Sequence, residues 1–198
     1  IIMQAFLEEA KRSSRTIANL STAVKNKVLN EMADALINHC DFIISHNEKD
    51  MIDARVNNLS EALQDRLLLT GTRVKEMSDA IRQIASQMEP VGRILDGWVT
   101  KDGLNIQKVS IPIGVIGIIY ESRPNVTSDT AALCFKSGNV CVLKGGKEAE
   151  HSNKAIAVVL KEVLAKNKLP EQAISLLPDS SREGVAKLIK QDKFVDLI

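Results

Sequence analysis

The sequence has few aromatic side chains and almost no net charge. One Trp, one Tyr and four Phe among 198 residues leave few rings for stacking on the bases of single-stranded nucleic acid. The formal charge is +1, from 26 basic and 25 acidic residues, which does not favour a surface for nucleic acid or an anionic membrane. No apolar run reaches the length of a membrane span, and residues 1–6 are too short an apolar stretch for a signal peptide. We therefore expect no nucleic-acid partner and no membrane association.

Cysteine and histidine are also scarce, and their spacing does not suit metal binding. Cys40, Cys134 and Cys141 cannot all pair with one another, which is typical of free thiols in a cytoplasmic protein. The three histidines have no second histidine or cysteine at ligand spacing, so no metal site is expected. The sequence also has neither the Gly-x-Gly-x-x-Gly fingerprint nor a Walker lysine motif. A nucleotide would therefore have to be held in another way.

Glycine and proline are nearly absent from residues 1–90, where Gly71 is the only glycine and Pro90 the first proline. Apolar residues recur at helical spacing after Ser21, which suits an N-cap, and again after Thr70 or Thr72. The two apolar series are Val24, Val28, Leu29, Met32, Leu36 and Ile37, and then Val74, Met77, Ile81, Ile84 and Met88. We predict four or five helices over 3–88, and we treat 1–90 as the helical N-terminal part of the domain.

After Pro90 the pattern changes to strands that alternate with helices. Two alternating segments around Asp102-Gly103 predict a β-hairpin, and we assign residues 91–112 to this arm. Predicted strands at 114–120, 140–144, 173–177 and 194–198 are separated by predicted helices at 126–136, 149–166 and 182–190. This alternation predicts parallel strands with right-handed crossovers. The fold class is therefore α/β, with a helical segment, a β-hairpin arm and a doubly wound, Rossmann-like sheet over 113–198.

The apolar segment 194–198 ends the sequence inside a predicted core strand. A domain rarely stops there, because the backbone groups of the strand would lack partners. We expect the chain to be the N-terminal portion of a longer protein, or the visible part of one.

The pattern that says most about function lies at residues 137–153. The predicted strand delivers Lys144 at its carboxyl end, directly before Gly145, Gly146 and Lys147. Ligands of open α/β sheets bind outside the carboxyl ends of the strands. Two lysines around a glycine pair, which lets a ligand approach the backbone closely, are placed to meet the ribose or phosphate of a nucleotide. A solvated lysine pair at a turn is the alternative interpretation.

The segment after the first strand of the sheet is rich in polar groups. Glu121 and Arg123 suit a charged substrate, and the Asn125 amide can donate to an oxyanion at the start of the next helix. We group Tyr120, at the strand end, with the cofactor-binding residues. The alternative is that Asn125 only starts the helix while Glu121 and Arg123 pair on the surface.

The segment after the strand at 173–177 contains two serines. Ser180 or Ser181 is positioned to touch the ribose of a dinucleotide. The pair is equally suited to capping the helix predicted at 182–190. The sequence leaves both roles open.

These segments are similar to one enzyme family. The motifs IPIGVIGIIYESRPNV at 111–126, GNVCVLKGGKEA at 138–149 and HSN at 151–153 resemble those of the glutamate-5-semialdehyde dehydrogenases, within the aldehyde dehydrogenase superfamily. Residues 47–50, 65–67 and 91–93 resemble the same family. The similarity covers essentially the whole chain.

The resemblance implies an activity that composition and periodicity do not show. It implies NADPH-dependent reduction of L-glutamate 5-phosphate to glutamate 5-semialdehyde, with release of phosphate, in proline biosynthesis. The implied mechanism begins with attack of a cysteine thiolate on the acyl phosphate and ends with hydride transfer. The catalytic cysteine of the family belongs to a later domain, so we expect this chain to be truncated before that domain and inactive alone.

The resemblance also implies roles for single residues. Superfamily members hold the adenosine ribose with a lysine at a strand end, the place of Lys144 here. Many carry a glutamate three residues later that favours an unphosphorylated ribose. Lys147 stands in that place, and a cation suits a 2′-phosphate, so NADPH is expected rather than NADH. Asn125 is the nearest match to the asparagine that stabilises the oxyanion.

The hairpin resembles the arm through which superfamily members associate. A homo-oligomer is therefore expected, and glutamate 5-kinase is a further expected partner. Two alternatives to the main interpretation stay open. In the first alternative the chain is the reductase half of a bifunctional pyrroline-5-carboxylate synthase. In the second it is a non-catalytic nucleotide-binding domain.

Overall fold

The computed structural model describes residues 2–198, with side chains from residue 3 onward. The first part consists of five helices: α1 (Ile2–Ala18), α2 (Thr22–Asn38), α3 (Cys40–Val56), α4 (Glu61–Leu67) and α5 (Gly71–Ser86). A hairpin of β1 (Ile94–Val99) and β2 (Asn105–Val109) follows. The rest alternates: β3 (Val115–Ile119), α6 (Pro124–Lys136), β4 (Val140–Lys144), α7 (Glu150–Lys166), β5 (Ile174–Leu176) and α8 (Arg182–Ile189). The predicted helical first part and alternating second part are confirmed.

Side-chain caps fix where several helices begin. Ser21 accepts a hydrogen bond from the Val24 amide at the start of α2, and Thr70 accepts one from the Arg73 amide at the start of α5. These bonds satisfy amides that have no partner within the helix. Thr70, rather than Thr72, is therefore the cap. Between α3 and α4 the chain turns at Asn58, whose φ of 53° lies in the left-handed region, a conformation that asparagine tolerates.

The predicted apolar face of α2 was too wide, and the apolar series predicted for α5 was too long. Helix α2 packs on α5 and α7 through a stripe that includes Val28, Leu29, Met32 and Leu36, all fully buried. Val24 and Ile37 are 38% and 43% exposed, because at 100° per residue each lies about 110° from the centre of that stripe. Met88 is also exposed, since α5 ends at Ser86.

The parallel sheet has the order β3-β4-β5. Four residues of the central strand β4, 140–143, are completely buried. Helices α6 and α7 contact each other, α6 also contacts β4 and α7 contacts β5, while α1 contacts β3 and β4. Because β4 is buried on both sides, α1 covers the face opposite to α6 and α7. This is the doubly wound arrangement that the alternating pattern predicted.

The strand predicted at 194–198 does not form. Only Leu197 makes a β-bridge, parallel to Ile116 on the outer side of β3. The amides of Phe194 and Val195 instead donate to the Gln191 carbonyl, both at 2.9 Å, so a helical turn takes up the first two residues of the expected strand. The Asp196 amide then donates to the Val115 carbonyl and the Leu197 carbonyl accepts from the Gly117 amide, both at 2.8 Å. The bridge nevertheless places this segment beside β3, on the side away from β4. After β5 the chain therefore returns to the opposite edge of the sheet.

The predicted hairpin arm is present, and every residue of β1 and β2 is exposed. Gly103, with a φ of +86°, makes the turn that the Asp-Gly pair indicated. At the base of the arm the Ser110 hydroxyl donates to the Pro90 carbonyl at 2.6 Å. Several apolar side chains of the arm, including Trp98, Val99 and Leu104, are at least half exposed.

Within residues 2–198, no helix combines the length and the apolar character that crossing a membrane requires. The same residues contain no group of three or more histidine, cysteine or acidic side chains arranged to hold a metal ion.

Candidate functional site

The carboxyl ends of the three parallel strands lie at one edge of the sheet. Ile119 of β3 is paired with Lys144 of β4, and Leu143 with Leu176 of β5. The backbone ladder runs one step further, since the Tyr120 amide donates to the Lys144 carbonyl at 3.0 Å. Lys144 therefore lies between the ends of the two neighbouring strands, where a ligand of such a sheet binds.

A cleft opens at this edge, which we call the strand-end cleft. It is lined by Leu143, Lys144, Gly145, Gly146, Lys147, Glu150, Asn153, Lys154, Leu176, Leu177, Pro178 and Ser180. The structure thus brings together five of the residues predicted to bind a cofactor, namely both lysines, both glycines and Ser180. Their role in binding stays a prediction.

Both glycines are required by the packing around them. A side chain at Gly145 would place its first carbon on the Asn153 amide and 3.1 Å from the Tyr120 ring. One at Gly146 would overlap the Ser122 hydroxyl and lie 2.9 Å from the Ser122 amide nitrogen. The sequence indicated close approach of a ligand at these positions. The structure shows that close approach of neighbouring residues already demands glycine.

Tyr120 lies beneath the strand-end cleft, with its hydroxyl directed into the protein. That hydroxyl is 2.7 Å from the Thr127 hydroxyl, which in turn donates to the Asn153 side chain at 2.9 Å. Burial raises the pKa of Tyr120 to about 12, with the Thr127 hydrogen bond acting in the other direction. The phenol therefore stays protonated and supports the glycine turn from below. Direct contact with a cofactor stays a prediction for this residue.

The two serines have different positions. Ser181 is the N-cap of α8 and accepts a hydrogen bond from the Gly184 amide at 3.1 Å. Ser180 lines the strand-end cleft and Ser181 does not. The capping role left open by the sequence therefore belongs to Ser181, and Ser180 is the serine that a ligand in the cleft would meet.

The charges of the strand-end cleft are unevenly compensated. Glu150 pairs with Lys154 at 2.5 Å, and Glu148 accepts a hydrogen bond from the Ser122 hydroxyl at 2.5 Å. Lys144 and Lys147 form no ion pair with any described residue. The cleft therefore presents two ammonium groups without an ion-pair partner among the described residues, which is a suitable environment for a phosphate.

A second, larger cleft of about 470 Å³ lies between the helical part and the start of α6; we call it the helical cleft. Its lining includes two residues of the predicted substrate segment, Arg123 and Asn125. The other lining residues are Asp65, Arg66, Leu68, Leu69, Arg73, Glu76, Met77, Ala80 and Asp129. The residues predicted to bind cofactor and those predicted to bind substrate thus separate into two adjacent clefts.

The predicted surface pair of Glu121 and Arg123 is present, at 3.9 Å, but it is not isolated. Arg66 of α4 approaches the same Glu121 carboxylate at 3.6 Å. Both guanidinium groups are about half exposed, so neither pair contributes much stability. No role was predicted for Arg66, because its approach to Glu121 joins segments far apart in the chain.

Asn125 and Asp129 form a pair one helical turn apart on α6. The Asn125 amide donates to Asp129 at 3.1 Å, which leaves its second N–H available to a ligand. Burial raises the pKa of Asp129, while the bond from Asn125 acts to lower it. Asp129 thus orients the amide that the sequence proposed as an oxyanion donor.

A buried hydrogen-bonded cluster joins α3 to the start of α7, which lines the strand-end cleft, and to Leu69, which lines the helical cleft. Asp50 accepts hydrogen bonds from the His151 amide at 3.1 Å and from the amide and hydroxyl of Ser152 at 2.7 and 2.5 Å. Asn47, one turn earlier on α3, donates to the Ser152 hydroxyl and accepts from the Leu69 amide. The sequence signal was the family resemblance of residues 47–50, which indicated neither the burial of Asn47 and Asp50 nor their contact with Ser152.

This architecture is that of the aldehyde dehydrogenases. The family model described as "Aldehyde dehydrogenase family" matches residues 3–198. The chain belongs to this family.

More specific similarity is to gamma-glutamyl phosphate reductases. The chain is 81% identical to the enzyme of that name from Aliarcobacter butzleri and 68% identical to the one from Sulfurovum sp., in each case over 99% of this chain and 48% of the relative. The crystal structure of gamma-glutamyl phosphate reductase from Thermotoga maritima superposes with a TM-score of 0.94 at 36% identity, covering 98% of this chain and 47% of that one. The resemblance seen in the sequence motifs is confirmed. The chain spans about half the length of these relatives.

Proposed function

We propose that this chain is the cofactor-binding portion of an NADPH-dependent enzyme that reduces L-glutamate 5-phosphate to L-glutamate 5-semialdehyde and releases phosphate. The observation that carries the proposal is the pair of lysines at the strand-end cleft that form no ion pair with any described residue, in a chain whose close relatives are named for this reduction. A nicotinamide cofactor follows from the family, and NADPH is the finer proposal.

The residues of the strand-end cleft fit such a cofactor. The Lys144 and Lys147 ammonium groups suit the ribose and a 2′-phosphate, and Ser180 adds a hydroxyl at the opposite wall. The first amides of α7, which a helix N-terminus can offer to an anion, already donate to Asp50. Phosphate recognition at this cleft therefore falls to the lysines. When bound, the cofactor supplies the hydride for the reduction.

The helical cleft fits an acidic substrate. Arg123 and Arg66 present guanidinium groups beside Glu121, and such groups bind carboxylate and phosphate oxygens in a defined geometry. Asn125 supplies an N–H for an oxyanion that forms at the substrate carbonyl. We assign glutamate 5-phosphate to this cleft, with Asp129 holding Asn125 in place.

The nucleophile of the proposed reaction lies outside this chain. No cysteine is among the residues that line either cleft. Cys141 is completely buried in β4, and the hydrogen bond with the neighbouring Cys134 together with burial raises its pKa well above the ordinary value, which makes it unreactive. We therefore propose that the chain alone has no reductase activity.

The hairpin arm supports a proposal on assembly. Two-stranded hairpins are marginally stable in water by themselves, and this one exposes apolar side chains such as Trp98 and Leu104. We propose that the arm packs against another subunit in a homo-oligomer. A cytoplasmic location and association with glutamate 5-kinase belong to the same proposal.

One pair of assays tests the proposed function. The full-length protein and a preparation that ends at Ile198 are each mixed with NADPH and glutamate 5-phosphate, and NADPH oxidation is followed. We expect turnover with the full-length protein and none with the shorter chain. Turnover by the shorter chain would disprove the placement of the nucleophile, and no turnover by either would disprove the activity.

A further inference from the structure

Glu148 is a potential obstacle to phosphate binding at the strand-end cleft. It directly follows Lys147 in a single 3₁₀ turn, 147–149. Its carboxylate is within electrostatic reach of Lys144 and Lys147, both of which contribute to lowering its pKa, although the Ser122 hydrogen bond contributes most. A carboxylate this close to a phosphate site would repel the phosphate and pair with the lysines that should bind it.

The structure keeps this carboxylate on the other side of the turn. The Ser122 hydroxyl, in the loop between β3 and α6, donates to Glu148 Oε2 at 2.5 Å. Glu148 lines a neighbouring cleft together with Asp50 and Asp53, and it is not among the residues of the strand-end cleft. Lys147 lines both clefts. The Ser122 bond therefore holds the Glu148 carboxylate where it forms no ion pair with either ammonium group, although their charges still interact.

Gly146 adds an independent observation. An added side-chain carbon there would overlap the Ser122 hydroxyl and lie 3.0 Å from Glu148 Oε2. The hydrogen-bonded pair is thus packed directly against the backbone of the glycine turn. Glu150, the acidic side chain that lines the strand-end cleft, has its own cation in Lys154. Glu148 is held by a neutral hydroxyl that does not cancel its charge. Only its position outside the cleft therefore limits its repulsion of a bound phosphate.

We propose that Ser122 is a positioning residue for cofactor preference: by holding Glu148 away from the strand-end cleft, it preserves the affinity of Lys144 and Lys147 for the 2′-phosphate of NADPH. This inference rests on the proposed function. Loss of the hydroxyl frees the carboxylate to turn toward Lys147, and binding of a 2′-phosphorylated adenosine weakens as a result.

Calorimetric titration of the full-length protein with adenosine 2′,5′-bisphosphate and with 5′-AMP tests this without any catalytic step. For Ser122→Ala we expect binding of the bisphosphate to weaken by about fivefold to tenfold, while binding of 5′-AMP changes by less than about twofold. Glu148→Gln keeps an acceptor for Ser122 and removes the charge, so it should bind the bisphosphate at least as well as the unmodified protein. Ser86→Ala, which removes an exposed hydroxyl bonded only within its own helix, should have no effect.

The double variant Ser122→Ala/Glu148→Gln decides between the proposed role and simple structural damage. We expect it to restore binding of the bisphosphate to within about twofold of Glu148→Gln, because the freed side chain then carries no charge. Equal losses in the single and double variants would overturn the proposal, as would an unchanged affinity in Ser122→Ala. If Lys147→Ala leaves bisphosphate binding unchanged in the parent protein, the assignment of the cofactor cleft itself fails, and this proposal fails with it.

Discussion

Truncation of Asp50 to alanine tests the buried contact that fixes the start of α7. The carboxylate is 2% exposed and accepts three hydrogen bonds, two from backbone amides and one from the Ser152 hydroxyl. Without it, three donors lose their partner, and each unsatisfied donor costs about 1 kcal/mol at the low end of the usual range. We expect local opening of the α7 N-terminus to become easier by about 3 kcal/mol.

Hydrogen–deuterium exchange followed by mass spectrometry measures this opening in the full-length protein. In peptides that cover residues 148–156, about 3 kcal/mol corresponds to a loss of protection of about 100-fold. Asp53→Ala is the matched control, because Asp53 lies one turn later on α3 and its carboxylate is exposed and makes no hydrogen bond among the described residues. Equal protection in Asp50→Ala and Asp53→Ala would refute the reasoning.

Three further predictions address the strand-end cleft. Lys147→Glu reverses one charge at an exposed position, so the preference for NADPH over NADH in kcat/KM should fall by about 30-fold, at about 1 kcal/mol for each unit of charge; an unchanged preference would make Lys147 an ordinary surface residue. Tyr120 is the only tyrosine of the chain, and the ultraviolet absorbance of its phenolate should titrate near pH 12 rather than 10. Because the folded-state pKa is raised, the stability that the protonated phenol contributes should be lost as pH rises from 10 to about 12, and a midpoint near 10 would contradict its burial. Gly146→Ala should lower the thermal unfolding temperature through a cost of about 1–3 kcal/mol, whereas Gly71→Ala, with nothing within 4 Å of the added carbon, should not.

The sequence was sufficient to predict the three parallel strands β3, β4 and β5. An apolar run that ends in Lys144 and a glycine pair defines both a buried strand and the edge where it stops, since these signals are local in the chain. The N-cap of α2 was found in the same way. The prediction was only partly right at 194–198. The Gln191 carbonyl captures the amides of Phe194 and Val195, so pairing with β3 is confined to Asp196 and Leu197.

Contacts between distant segments were beyond prediction from one sequence. Asp50 meets Ser152 and Ser122 meets Glu148 only after α3, α6 and α7 have packed. Sequence reasoning named Lys144 and Lys147 because their position at a strand end is a local property. It missed the residues that keep other charges away from them, because those depend on the tertiary structure.

The location of a bound dinucleotide is the most direct test of the central claim. A crystal structure of the full-length protein with NADPH should place the 2′-phosphate within hydrogen-bonding distance of the Lys147 ammonium group, with Lys144 on the ribose and Glu148 still bonded to Ser122. A dinucleotide bound with its adenosine away from both lysines would contradict the account.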